Sequence, residues 1–317
     1  MFIKSASHIG HSECTDLESW LTGLEPIEHE QPLVEPDYKS TLNPRLLRRM
    51  SPILKLGSYS ALDCLSKTDN AIPNAIIVGS GLGCSTDTLT FLNEMNTNLN
   101  AALSPTAFIR STHNTVAGQI ALLLKNQGYN MTFTQGSLSF ESALSDAQMA
   151  MGSGEIESAL VGGIDEMSKE LYELVMKLAV VNGSEFPVLG QGSNFFYLEK
   201  EGDEGDIEVA AVGSYHNGQS EENFRSFVAE NEIDFDGIDL VLDGGDMGEI
   251  PDELEIIMDF KEYCGEFFSA SAFGMMMGYA MIKTEVQFDE EDPRAIKTIL
   301  INTGFGNEQG LILLRKK

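Results

Sequence analysis

Ser137 is one candidate nucleophile in this sequence. It stands in Thr134-Gln-Gly-Ser137-Leu-Ser-Phe140, at the start of a segment rich in alanine and methionine. A serine hydroxyl attacks a carbonyl only with a general base beside it, because its own pKa is far above that of a thiol. The five histidines (His8, His11, His29, His113 and His216) are scattered, and none follows Ser137 at a telling distance. The surrounding run is not a Gly-x-Ser-x-Gly elbow. Ser137 therefore has two readings: a nucleophile for acyl transfer or hydrolysis, or a small residue capping the helix after it. Gly79, Gly81 and Gly83 follow an apolar run, but they lack both the Gly-x-Gly-x-x-Gly spacing and a following Lys-Ser/Thr, so nucleotide binding is not indicated. Cys14, Cys64, Cys84 and Cys264 form no Cys-x-x-Cys pair and no metal-ligand spacing. No metal site and no cofactor are expected.

The elements that must position these residues alternate. Ile76-Ile-Val78 reads as a buried strand running into a glycine turn, with a helical apolar pattern after it at Leu89, Phe91, Leu92 and Met95. Val116–Leu124 and Ser139–Met151 read as helices, and Met131–Phe133 and Ser158–Val161 as strands. The second part repeats the theme. Strands are expected at Asn194–Leu198, Ile207–Val212, Asp239–Leu242, Ala295–Asn302 and Gly310–Arg315, with a helix over Glu253–Phe260. The segment Leu24–Pro44 reads as a surface excursion, and 200–206 and 289–293 as acidic loops. The pattern predicts an α/β protein with buried strands.

Composition narrows the partners. The chain of 317 residues carries a formal net charge of −29, with 42% hydrophobic residues. Such acidity argues against nucleic acid, whose phosphates are bound through Lys and Arg, and against an anionic membrane surface. No apolar run approaches the roughly 18 residues a spanning helix needs. The N-terminus has no apolar signal region, and scattered thiols suit a reducing cytoplasm. Arg45, Arg48, Arg49 and Lys55 are the one basic cluster, either a docking patch for an acidic partner or a solvated helix face.

Ordered blocks of sequence carry a resemblance. Val78-Gly-Ser-Gly-Leu-Gly83, Ser104-Pro105 with Asn114-Thr-Val-Ala-Gly118, and Gly154 with Gly162-Gly163 and Asp165-Glu166 form the first set. Gly190-Gln-Gly192 with Tyr197-Leu-Glu199, and Thr303-Gly-Phe-Gly306, form the second. In order and spacing, from about Leu47 to Leu314, the chain resembles the β-ketoacyl synthases of thiolase-like type. The resemblance implies a thiolase-like fold: two similar α/β halves, 1–185 and 186–317, in a layered α-β-α-β-α arrangement. It places the family's nucleophilic cysteine at Ser137, its two catalytic histidines at Asp243 and Met275, and its lysine at Ala270. By the same resemblance Phe305 sits on the family's gating loop, and Gln135 and His113 lie by the acyl pocket or subunit interface. Arg48 and Arg49 fall where such enzymes dock acyl carrier protein.

The replacements have a physical meaning. An anion and a thioether cannot donate to an enolate, and removing one such donor already costs about 10²–10³ in rate. No catalytic residue is expected. The chain resembles a chain-length factor, the inactive subunit that pairs with an active ketosynthase and shapes its acyl tunnel. Type II polyketide assembly uses such pairs, and the branch making aryl polyene and flexirubin-type pigments lies closest. The implied partners are that active subunit, an acyl carrier protein and an acyl chain. The competing reading is a divergent acyltransferase or hydrolase using Ser137. His113 could equally be a hydrogen-bonded residue of a packed loop, and Met275-Met-Met277 with Met281 a packed core helix rather than a tunnel lining.

Overall fold

The computed structural model describes residues 1–68, 71–97, 104–182, 187–245, 250–254, 257–285 and 295–317. Among these are ten strands. They are β1 (Phe2–Ile9), β2 (Ala75–Gly79), β3 (Tyr129–Phe133), β4 (Ser158–Asp165), β5 (Gly192–Glu199), β6 (Ile207–Tyr215), β7 (Leu240–Gly245), β8 (Ile257–Asp259), β9 (Thr298–Phe305) and β10 (Glu308–Lys316). The helices are α1 (Leu17–Thr22), α2 (Pro44–Leu47), α3 (Pro52–Ser66), α4 (Ser85–Thr97), α5 (Pro105–Arg110), α6 (Thr115–Leu124), α7 (Ser139–Gly152), α8 (Lys169–Asn182), α9 (Ser220–Glu230) and α10 (Ala270–Thr284).

The strands bond in the order β3-β2-β4-β5-β1-β6-β10-β9-β7-β8. Read outward from the centre, β1-β5-β4-β2-β3 on one side matches β6-β10-β9-β7-β8 on the other. The two sets join through the antiparallel pairs Phe2↔Glu208 and Ile3↔Ile207. β2, β3 and β4 run parallel, as do β7, β8 and β9.

Strand side chains alternate between faces, and each face has its own core. Ile76 and Val78 of β2 pack with α3 and α6, together with Phe195 and Tyr197 of β5. Ala75 and Ile77 face the other way, into a central core with Phe196 and Leu198, α7 and α10. Ile312 and Leu314 of β10 enter that central core, whereas Leu311 and Leu313 pack with Phe224 and Phe227 of α9. Three cores separate five layers: helices, strands, the α7–α10 pair, strands, helices. The thiolase-like α-β-α-β-α arrangement is therefore the observed one. Fully burying each large apolar side chain is worth about 1.5–3 kcal/mol, so the central pair is held from both faces.

Two glycines make this packing possible. A Cβ on Gly79 would lie 2.4 Å from the Ser139 carbonyl oxygen, so α7 could not come so close to β2. Gly83 takes a φ of +63°, and a Cβ there would meet His113 at 2.8 Å. The glycine run thus serves close approach and a left-handed turn, not phosphate binding.

One element differs from expectation. Glu253–Phe260, read as a helix, holds strand β8 at Ile257–Asp259, bonded parallel to β7 in the register Val241↔Ile257. Residues 255–256 lie outside the described residues. Ladder bonds to an existing strand and a β-branched Ile257 override the helical spacing of the acids. The acidic loop at 289–293 and the division at 185/186 also lie outside the described residues. The excursion after Leu24 is mostly irregular, with a 3₁₀ turn at Tyr38–Ser40. Ile27 N–H donates to the Glu262 carbonyl at 2.7 Å and Val34 N–H to that of Gly10 at 2.8 Å.

Candidate functional site

Ser137 sits in a 3₁₀ turn, Gly136–Leu138, that leads into the central helix α7. Gly136 takes a φ of +58°, which lets the chain turn in at that point. Ser137 is 7% exposed, and its hydroxyl donates to Oε2 of Glu308 at 2.7 Å. It does not cap α7. Ser139 serves the turn instead, accepting from Gln135 N–H at 2.9 Å and donating to the Gly136 carbonyl at 2.7 Å. Among the described residues Glu308 is the one hydrogen-bond partner of the Ser137 hydroxyl, and His216 Nδ1 stands 3.7 Å from the other oxygen of Glu308. No imidazole or lysine nitrogen bonds the hydroxyl among those residues. No cysteine offers a substitute nucleophile. Burial raises all four thiols, Cys14 to about 11, and Cys64 and Cys84 to about 12.

Asp243 lies near the end of strand β7, beside β9. Its Oδ1 accepts from Asn302 Nδ2 at 2.7 Å and from Gly245 N–H at 3.2 Å. Burial pushes its carboxyl up, the two donors pull it back, and nearby Asp259 adds to the rise. Asn302 accepts in turn from Gln309 Nε2 at 2.8 Å. Gln309 also reaches Ser220 at 3.2 Å, and its Oε1 accepts from Asn223 at 2.8 Å. These amides are almost wholly buried, so the strength of the network rests on every member having a partner. One strand position along, Thr303 Oγ1 donates at 2.8 Å to Glu141, a fully buried acid one turn along from Ser137. Burial raises the Glu141 carboxyl.

The β9–β10 hairpin thus bonds two of the positions that the resemblance picks out, Ser137 and Asp243, as well as Glu141. Asn302 holds Asp243, Thr303 holds Glu141 and Glu308 holds Ser137. Met275 is not part of this polar set: it is fully buried in α10, within the central core. Ala270 opens the same helix, 1% exposed. Phe305 is 52% exposed at the hairpin tip, its ring 6.1 Å from that of Phe268. Gln135 is exposed and hydrogen-bonded to Ser142. His113 is exposed beside Gly83, and no hydrogen bond of its side chain occurs among the described residues. Arg48 and Arg49 lie well away at the end of α2, exposed and in none of the ion pairs of the described residues. Glu308 is the partner of Ser137 that the sequence reading does not name. Its single signal is an acid shortly after the Thr303-Gly-Phe-Gly306 block.

Asp165 ties the site together from behind. It accepts from Ser80 Oγ at 3.0 Å, Gly81 N–H at 2.8 Å and Ser269 N–H at 2.7 Å. It therefore joins the end of β4 to the glycine turn and to the start of α10. Burial raises its carboxyl.

A second region differs in kind. β3 ends the strand order and pairs on one side with β2. Tyr129 N–H bonds the Asn74 carbonyl, and Ser80 N–H bonds that of Phe133. Alternation in a parallel ladder then turns the N–H and C=O of Asn130 and Thr132 outward. Apolar side chains flank this edge: Tyr129 39%, Met131 40%, Leu122 of α6 76% and Met149 of α7 66% exposed. No helix among the described residues is long and apolar enough to cross a membrane.

The architecture defines a thiolase-like scaffold. The family described as beta-ketoacyl synthase, N-terminal domain, matches residues 20–188, more than half of the chain, and the chain belongs to that family. No curated protein matches the chain in sequence. Among solved structures it is similar to the ishigamide ketosynthase/chain length factor, at a TM-score of 0.78 and 18% identity over 99% of both chains. It is also similar to the ketosynthase ApeO in complex with its chain length factor ApeC from Xenorhabdus doucetiae, at 0.75 and 13%, covering 100% of this chain and 98% of that one. A third is the AntDE:AntF complex, a type II polyketide acyl-carrier protein with its ketosynthase bound to the hexaketide, at 0.74 and 16%, covering 100% and 99%. At these identities the likeness establishes the fold.

Proposed function

We propose that this chain is a non-catalytic, chain-length-factor-like subunit. It pairs with an active β-ketoacyl synthase in type II polyketide or aryl polyene assembly and shapes the acyl tunnel of that pair. The observation that carries this reading is the fate of the reaction centre, where Ser137 and Asp243 both have their hydrogen-bonding groups engaged by the β9–β10 hairpin. Condensation by the family's route needs a thiol nucleophile and hydrogen-bond donors for an enolate, and a serine at 137 and a carboxylate at 243 offer neither.

The open edge at β3 supports the pairing. Unpaired backbone groups between exposed apolar side chains suit a partner strand laid alongside. Arg45, Arg48 and Arg49 support a carrier-protein role, being exposed cations without ion pairs among the described residues, on a chain of charge −29. Free cysteines support a cytoplasmic setting. The matching strand orders support reading the chain as two similar halves. Coexpression with the active ketosynthase is the test. The two chains are expected to co-purify, and omitting this chain is expected to change product length. Independent purification with an unchanged product profile contradicts the proposal. Reversing Arg48 and Arg49 to Glu is expected to weaken carrier-protein affinity of the complex about tenfold at low salt, and less at high salt.

A further inference from the structure

The backbone around Glu308 is fixed, while its side chain is 34% exposed with His216 Nδ1 3.7 Å from its Oε1. Glu308 opens β10 opposite Phe305, across a two-residue loop in which Gly306 supplies a φ of +63°. Gly218 N–H donates to the Asn307 carbonyl at 3.1 Å and fixes that loop from outside. The next residue, Gln309, is fully buried and bonded to Asn302, Ser220 and Asn223, so the start of the strand cannot rotate. The carboxylate thus faces the α7 turn, with Oε2 2.7 Å from Ser137 Oγ and 3.6 Å from where a Cβ on Gly136 would stand.

We infer that Glu308 closes the Ser137 position to acyl thioesters, so that loss of the family's cysteine is only one of two barriers to acylation there. This rests on the non-catalytic reading above and deepens it. An anion at hydrogen-bond distance opposes acylation in three ways. It disfavours a thiolate at position 137, since like charges repel. It opposes the negative charge that develops on a thioester carbonyl under attack. It also loses its own donor once Ser137 is esterified, leaving a half-buried carboxylate unsatisfied. Putting the cysteine back would therefore not restore the chemistry on its own.

The test compares Ser137→Cys with Ser137→Cys/Glu308→Gln, using Ser137→Cys/Glu308→Ala as a second pair. The probes are iodoacetamide and hexanoyl-N-acetylcysteamine, read at position 137 by peptide mass mapping across pH. With the thioester, a bond forms between the introduced sulfur and the hexanoyl carbonyl carbon as the bond from that carbon to the N-acetylcysteamine sulfur breaks. The released thiolate takes up the proton lost by the introduced thiol. Removing the carboxylate is expected to speed both reactions at least about tenfold at pH 7 and to move the thiol inflection to lower pH. Equal rates and equal pH profiles in Ser137→Cys and both double variants overturn the role of Glu308, while leaving the non-catalytic reading in place. Acylation of the wild-type chain at Ser137 overturns that reading instead.

Discussion

The hairpin-tied interior and the β3 edge treat polar groups in opposite ways. Inside, Ser137, Asp243, Glu141, Asn302 and Gln309 each find a partner within the chain. At the edge, Asn130 and Thr132 face outward between exposed apolar side chains. The contrast is between an interior whose Ser137 and Asp243 are bonded to the hairpin and a sheet edge whose outward backbone groups have no strand beside them among the described residues.

Four changes break or sharpen that contrast. The largest effect is expected at Met275, where the interior is filled rather than tied. Met275→Ala should cost about 2–5 kcal/mol in urea unfolding, because it empties a fully buried site. A cost below about 1 kcal/mol would mean space already exists there.

His8 tests how dry the interior is. Its imidazole lies between Trp20 and Phe273, bonded through Nδ1 to Asn194 Oδ1 at 2.7 Å, with Nε2 unpartnered. Burial lowers its pKa from 6.5 to about 4. Between those values the unfolded chain binds a proton that the folded chain refuses, so stability falls as the pH drops through this window. The loss is about 3 kcal/mol in full, and absent above pH 6.5. Unfolding of wild type and His8→Gln across roughly pH 4–7 should show the steeper fall in wild type, and parallel curves would contradict it.

At the edge, Thr132→Pro removes an outward N–H without touching the bonds to β2. Affinity for the ketosynthase partner is expected to drop about 100-fold, with the circular dichroism spectrum kept. Unchanged affinity would move the interface elsewhere. Asn302→Ala is expected to have the smallest effect, about 1–3 kcal/mol, from leaving Asp243 and Gln309 short of partners. Its thermal midpoint should fall while partner affinity stays the same.

Much of this was legible in the sequence, and the rest has physical reasons for being hidden. The glycine-ended strands at Val78 and Gly162 marked their own elements, since buried parallel strands leave continuous apolar runs. Met131–Phe133 could be read as a strand but not as an edge, because edge position depends on which strands lie beyond it. Glu253–Phe260 misled because a three-residue strand is defined by its neighbour β7, not by its own spacing. The partner of Ser137 was out of reach for a related reason. Glu308 is 171 positions away, and only the β9–β10 register turns it toward α7. The positions named for the family's cysteine and histidines rest on the resemblance, read from a block of small residues or a strand end.

Intact-mass analysis of the co-purified complex, sampled during turnover with acyl-loaded carrier protein, is the most direct examination of the central claim. The account expects an acyl mass shift on the active ketosynthase and none on this chain. An acyl adduct here, mapped to Ser137 and turning over with product, would contradict it.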